Sequence, residues 1–181
     1  MSASSSASAQ KVLVFDFGAQ YGQLIARRVR DLNVYSEIVP CDITADEVRA
    51  IAPSAIILSG GPASVNAEDA PRVDPEVYEL GVPVLGFCYG HQITAVTLGG
   101  AVHHPEVGEY GPAELHVKGG ALFEGTPETQ TVWMSHFDAV CDVPEGFEVV
   151  ASTDVCPVAA MECPERKIYT TQFHPEVKHT E

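Results

Sequence analysis

The 181 residues carry 10 Lys and Arg against 25 Asp and Glu, a formal charge of −15, and 45% of them are hydrophobic. That length fits one ordinary domain burying roughly 70% of its unfolded surface, and the apolar share excludes wholesale disorder. The acidic balance excludes a broad nucleic-acid footprint, since no basic stripe exists to neutralise phosphates, and it disfavours docking on anionic lipid.

Residues 1–10 are small and polar, without the charged start and apolar stretch of a secretory signal. They read as a disordered tail ahead of a single domain spanning 11–181. No apolar run approaches a membrane span, so the expected compartment is the cytoplasm, with reduced thiols. The five cysteines, Cys41, Cys88, Cys141, Cys156 and Cys163, form no close pairs. They make a poor disulfide framework, and no CxxC pair suggests zinc, so no metal is expected.

Lys11–Phe17 is a short apolar run that reads as a buried strand. Over Tyr21–Leu32 the spacing of Leu24, Ile25, Val29 and Leu32 predicts a helix. Tyr35–Val39 is a second strand, and Thr44-Ala-Asp-Glu47 is a capping box that starts another helix. Ala55–Leu58 is a third strand, closed by Ser59-Gly-Gly-Pro62, and Asp74-Pro75 opens a short helix to about Leu80. Val82–Phe87, a fourth strand, runs straight into Cys88-Tyr-Gly-His-Gln92 and an apolar helix to Leu98. After Gly99-Gly100 the runs become short and β-rich: Ala113–Val117, Thr131–Met134, Glu148–Ser152, Val158–Glu162 and Ile168–Gln172. The pattern predicts an α/β fold, a single-domain open and largely parallel twisted sheet with helices on both faces, extended by a β-rich C-terminal half.

The sharpest chemical feature is Gly86-Phe-Cys88-Tyr-Gly90 between a strand and a helix. Small residues two before and two after a nucleophile permit the strained strand-to-helix turn of a nucleophile elbow. The following helix turns its positive end toward the sulfur and favours thiolate over thiol. A nucleophilic thiol wants a base and an orienting acceptor, and Gln172-Phe-His174-Pro-Glu176 offers both. His103-His104 precedes a second His-Pro-Glu string, but no cysteine or aspartate nearby in sequence completes a metal site, so a solvated loop or strand start is expected there. His91 is expected to point away from the thiol, His116 and His179 read as surface, and the other four cysteines read as packing residues. Ser59-Gly-Gly-Pro62 reads either as a phosphate cradle or as the donor of a backbone N–H to an oxyanion. It lacks the aspartate of an ATP-pyrophosphatase loop, and no GxxxxGK[ST] occurs, so any ATP chemistry belongs to another chain or domain.

From Lys11 onward the chain resembles the triad-type (class I) glutamine amidotransferases. The resemblance rests on Asp16-Phe-Gly-Ala-Gln-Tyr21, Ser59-Gly-Gly-Pro62, Gly86-Phe-Cys-Tyr-Gly-His-Gln92, Trp133-Met-Ser-His136 with Asp138, and Gln172-Phe-His-Pro-Glu-Val177 with His179-Thr180. It implies Cys88 as nucleophile, His174 as acid and base, and Glu176 as its partner. It also implies an oxyanion hole from the backbone N–H of Gly61 and Tyr89. Gln92 and the main chain of Ser135, His136 and Phe137 would hold the substrate, L-glutamine. Phe137 stands where the family often has glycine, and the family usually continues past His-Thr into a final helix, so Glu181 reads as a cut. The first, fourth and fifth strings resemble the branch whose ammonia goes to an XMP-aminating ATP-pyrophosphatase, fused or separate. ATP and Mg are then expected on that partner, and no cofactor on this chain. The alternatives are the glutaminase of anthranilate or carbamoyl phosphate synthesis, a cysteine hydrolase, and a non-catalytic regulatory relative.

Overall fold

Strand β1 (Lys11–Asp16) sends alternate side chains into two separate cores, Leu13 and Phe15 into one and Val14 into the other. That alternation is what a parallel strand buried on both faces requires. The computed structural model describes residues 10–18 and 20–181. The tail reading therefore falls almost wholly outside the described residues, as does Ala19 of the first motif; Gln10 lies in no helix or strand.

Helix α1 (Gly22–Asp31) covers the Val14 face with Ile25 and Ala26. The opposite face is covered by α2 (Ala45–Ile51) through Val48 and by α3 (Tyr89–Thr97) through Ile93. The Thr44 capping box forms: its hydroxyl accepts the Glu47 backbone N–H and the Glu47 side chain returns to Thr44. Asp74 caps a 3-10 helix over Pro75–Glu79.

Strands β2 (Tyr35–Pro40), β1, β3 (Ala55–Leu58), β4 (Val84–Phe87) and β11 (Ile168–Thr171) lie side by side in that order, all parallel. The same sheet then continues antiparallel through β10 (Ala160–Cys163), β9 (Glu148–Ser152), β6 (Glu109–Val117) and β7 (Thr129–His136), making nine strands. This is the extension expected of the β-rich half, with its own core of Leu115, Val132, Met134, Val150 and Phe173. Strands β6 and β7 run four and two residues beyond the expected starts, because Pro112 and Gly111 sit inside a paired strand rather than ending one.

Two strands were not expected. Strand β5 (Ala101–His103) and β8 (Ala139–Asp142) pair only with each other, antiparallel, with His103 opposite Ala139. That register sets His104 beside Asp138: the pair is exposed, as expected, but it closes a strand rather than starting one, and an aspartate distant in sequence does reach it. Cys141 is exposed, so it is no packing residue, whereas Cys156 and Cys163 are buried.

Candidate active site

Strand β4 delivers Cys88 at the carboxyl edge of the parallel strands, where open α/β sheets place their ligands. Cys88 has φ 51° and ψ −103°, a left-handed conformation that a side chain rarely adopts. The turn is over-determined. Its N–H donates to Thr171 O at 2.9 Å, and the next N–H but one, on Gly90, donates to Ser59 O at 3.1 Å. A Cβ on Gly90 would lie 2.4 Å from Leu58 O, and one on Gly86 would lie 2.7 Å from Gly90 O. The elbow therefore depends on two small residues for close packing, as the motif predicted.

His174 leaves β11 three residues after Thr171 and is tied to β7, its N–H donating to Trp133 O at 3.0 Å. Its Nδ1 meets Glu176 Oε1 at 2.8 Å, and both side chains are buried. The ring lies beside Cys88: both flank Gly60, where a Cβ would stand 3.7 Å from Cys88 Cβ, and both line one hollow. Burial pushes the His174 imidazole down most strongly, but hydrogen bonds and charge from Cys88 and Glu176 together outweigh it and raise the pKa to about 10. His174 thus holds a proton at neutral pH. A Cβ on Gly60 would stand 3.1 Å from His174 Cε1, so the SGGP loop closes over the same ring. Tyr21, from the first motif, approaches that ring with centroids 5.4 Å apart. The three sequence-predicted catalytic candidates are thereby brought together.

The backbone N–H groups of Gly61 and Tyr89 donate to no acceptor among the described residues. A Cβ on Gly61 would lie 3.3 Å from Tyr89 Cγ, so the SGGP loop and the elbow are close neighbours. A cleft of about 370 Å³ opens beside Cys88 and is lined by Gly61, Gln92, Ser135, His136 and Phe137, the set expected to meet glutamine. That volume is at the small end of ligand pockets and suits an amino acid. The sulfur lies 3.7 Å from Ser135 O.

Sequence reasoning missed the groups that hold this cleft in shape. Asp138 is buried and joins its carboxylate to His104 Nδ1 at 2.7 Å and to the Ser64 hydroxyl. Its carbonyl accepts Gln92 Nε2 at 2.6 Å and His136 Nδ1 at 3.0 Å. Gln92 therefore braces the 135–138 segment as well as lining the cleft. Glu109, opposite His136 in the β6–β7 register, accepts His136 Nε2 at 3.0 Å and the Thr153 hydroxyl at 2.7 Å. Glu109, His136 and Cys156 bring ligand atoms within 4.8 Å of one another, the one such group of metal-binding residue types among the described residues. Its carboxylate and imidazole are already spent on each other, and burial pushes the Cys156 thiol up to about 12, which disfavours the thiolate a metal needs.

His91 does point away from the sulfur, but it is fully buried, with Nδ1 at 2.7 Å from the Thr170 hydroxyl and Nε2 at 3.1 Å from Val158 O. His116 is partly exposed, and His179 is exposed with its ring 4.9 Å from Trp133.

The sequence and the fold of this chain are shared with known proteins. The family model of class-I glutamine amidotransferases matches residues 13–181, and the chain belongs to that family. Its relatives include the GMP synthase [glutamine-hydrolyzing] of Streptomyces avermitilis, 60% identical over 99% of this chain and 34% of that protein. The protein of the same name from Clostridium novyi is 56% identical over 93% of this chain and 33% of its own length. The chain thus spans about a third of the curated relatives it matches. Among solved structures, a Thermoplasma acidophilum protein assigned as one of the subunits of GMP synthase superposes with a TM-score of 0.83 at 33% identity, over 96% of this chain and 88% of that one. A glutamine amidotransferase from Thermotoga maritima shares the fold, with a TM-score of 0.73 at 20% identity, over 94% of this chain and 77% of that one.

Proposed function

We propose that this chain is the glutaminase part of a GMP synthase. The observation that carries the reading is the Cys88–His174–Glu176 constellation, whose cysteine lines an amino-acid-sized cleft.

The thiolate of Cys88 attacks the side-chain amide carbon of L-glutamine. Negative charge on the amide oxygen is taken by the N–H groups of Gly61 and Tyr89, where loss of one such donor typically costs about 10²–10³ in rate. His174, protonated at rest, hands its proton to the departing nitrogen, and ammonia leaves a glutamyl thioester. The neutral imidazole then takes a proton from water, which attacks the thioester and releases glutamate. Glu176 fixes the ring so that the nitrogen facing the sulfur is the one that exchanges protons. Ser135, His136 and Phe137 hold the glutamine main-chain groups, with Gln92 behind them.

Ammonia in neutral water is mostly ammonium and not nucleophilic, so making it is useful only beside a consumer. That consumer is an ATP-pyrophosphatase unit, separate or fused, which binds ATP and Mg and converts XMP to GMP. The names of the relatives and the length they have beyond the region matched here support it. This chain itself needs no cofactor for the chemistry. Among the described residues no helix is long and apolar enough to cross a membrane, and the five cysteines are free, which fits work in the cytoplasm.

The test is intact mass after exposure to an electrophilic glutamine analogue. One adduct on Cys88, blocked by glutamine but not asparagine, is expected; labelling spread over several cysteines would sink the reading. For the consumer, Cys88→Ala in the protein carrying the synthetase should abolish glutamine-dependent GMP formation and spare the use of added ammonia.

A further inference from the structure

His104 lies in the wall of the glutamine cleft, placed there by the β5–β8 pairing. Its imidazole stacks on the Phe137 ring, with centroids 4.0 Å apart and planes 20° from parallel. Its Nδ1 faces Asp138 Oδ1 at 2.7 Å, while Nε2 has no hydrogen-bond partner among the described residues. The ring is thus fixed by a platform below and an acceptor at one edge, yet its side chain is 69% exposed. A surface histidine held in two directions with its second nitrogen left open is poised for a ligand.

Glutamine brings to this cleft an α-carboxylate as well as its amide. No Lys or Arg lies among the described residues lining the cleft. His136 spends both ring nitrogens on Asp138 O and Glu109, and the Gln92 amide N–H groups go to Asp138 O and Gln172. Imidazole with Nδ1–H on a carboxylate can take a second proton and offer Nε2–H to an anion. Besides the hydroxyls of Ser135 and Tyr110, His104 is the one lining side chain with a donor position left open, and it alone of the three is an imidazole.

We propose that His104 is a specificity residue that binds the α-carboxylate of free glutamine, with Phe137 and Asp138 as the groups that position it. The inference rests on the glutaminase reading and deepens it. It also gives Phe137 a use for its side chain where the family often has glycine: the ring is the platform for His104.

The test measures protection of Cys88 from iodoacetamide, a probe without α-groups, by glutamine and by glutamine α-amide, followed by peptide mass. Wild type should be protected at lower concentrations of glutamine than of the α-amide, by about 10- to 100-fold, the range of one charge-assisted hydrogen bond. His104→Ala should bring glutamine to the level of the α-amide and leave the α-amide unchanged. His104→Gln, which keeps a neutral N–H in the same space, should retain part of the preference. Equal weakening of both ligands in His104→Ala would assign a merely structural role and overturn the proposal, as would an unchanged preference. Protection of wild type by neither ligand would instead overturn the glutaminase reading itself.

Discussion

The hydroxyl of Thr180 stands between His174 and Trp133: it donates to His174 O at 2.7 Å and accepts the Trp133 N–H at 3.0 Å. With the direct bond from His174 N to Trp133 O, this closes a small ring of hydrogen bonds around the backbone of the proposed acid and base. It explains why a His-Thr pair after His-Pro-Glu-Val accompanies a Trp-Met-Ser-His string: the two segments are adjacent, and the threonine is the clasp.

Replacing that clasp by a residue of the same shape isolates its contribution. Thr180→Val keeps the volume and removes both hydrogen bonds, leaving a partly buried N–H and carbonyl unpaired. Each unpaired group costs on the order of 1–3 kcal/mol. The expected result is a drop in urea midpoint together with a fall in glutaminase kcat, with little change in KM because the cleft residues stay in place. A changed KM with unchanged kcat would place the clasp on the binding side instead.

The raised pKa of His174 makes stability depend on pH with a definite sign. The folded value is about 10 and the unfolded value about 6.5, so the folded state binds the extra proton between them. The contribution is fully present below pH 6.5 and is lost as pH rises through about 10. Urea unfolding between pH 6 and 10 should therefore show wild type losing more stability than Glu176→Gln, in which one source of the upward shift is gone. The difference should be on the order of a kcal/mol or more and vanish above pH 10. Parallel curves would mean that Glu176 does not hold the proton on His174.

The opposite shift governs the acid side. Burial drives the His91 pKa down to about 3, against a weaker upward pull from its bond to Val158 O. The unfolded chain then binds the extra proton between about pH 3 and 6.5, so stability falls as pH drops through that window, by up to about 1.4 kcal/mol per unit. His91→Gln, able to keep one hydrogen bond without titrating, should be less stable at pH 7 but show a shallower loss toward pH 4. Equal slopes by urea titration at each pH would remove His91 as the cause.

Local signals made much of this legible beforehand. The capping box at Thr44, the proline turn at Asp74 and the apolar runs of β1 and β3 act within a few residues, so a linear reading finds them. The elbow and the His-Pro-Glu string are also local. Strands β5 and β8 were not legible, because three and four residues carry no periodicity and each is stabilised only by the other, across a long stretch of chain. Missing that pair hid the meeting of His104 with Asp138, a contact over 34 residues that no spacing rule encodes. Asp138 itself stood in a recognised string, yet its role as the joint of Ser64, Gln92, His104 and His136 exists only in three dimensions.

Cys88, the proposed nucleophile, also carries backbone strain, which sets up a reversal of an ordinary preference. At most positions alanine stabilises relative to glycine, because glycine loses more freedom on folding. Cys88 sits at φ 51°, ψ −103°, where any Cβ is crowded and the cost is on the order of 1–3 kcal/mol. Cys88→Ala retains that strain, whereas Cys88→Gly releases it. Both variants lack the proposed nucleophile and should be inactive, but Cys88→Gly should be the more stable by about 1 kcal/mol, readable as a higher urea midpoint at unchanged m-value. Packing is a weak counter-argument, since the buried Cys88 side chain lines the cleft and belongs to none of the three hydrophobic clusters. If Cys88→Ala proved the more stable, the elbow would be an unstrained turn, held by the bonds to Thr171 and Ser59 without any stored cost.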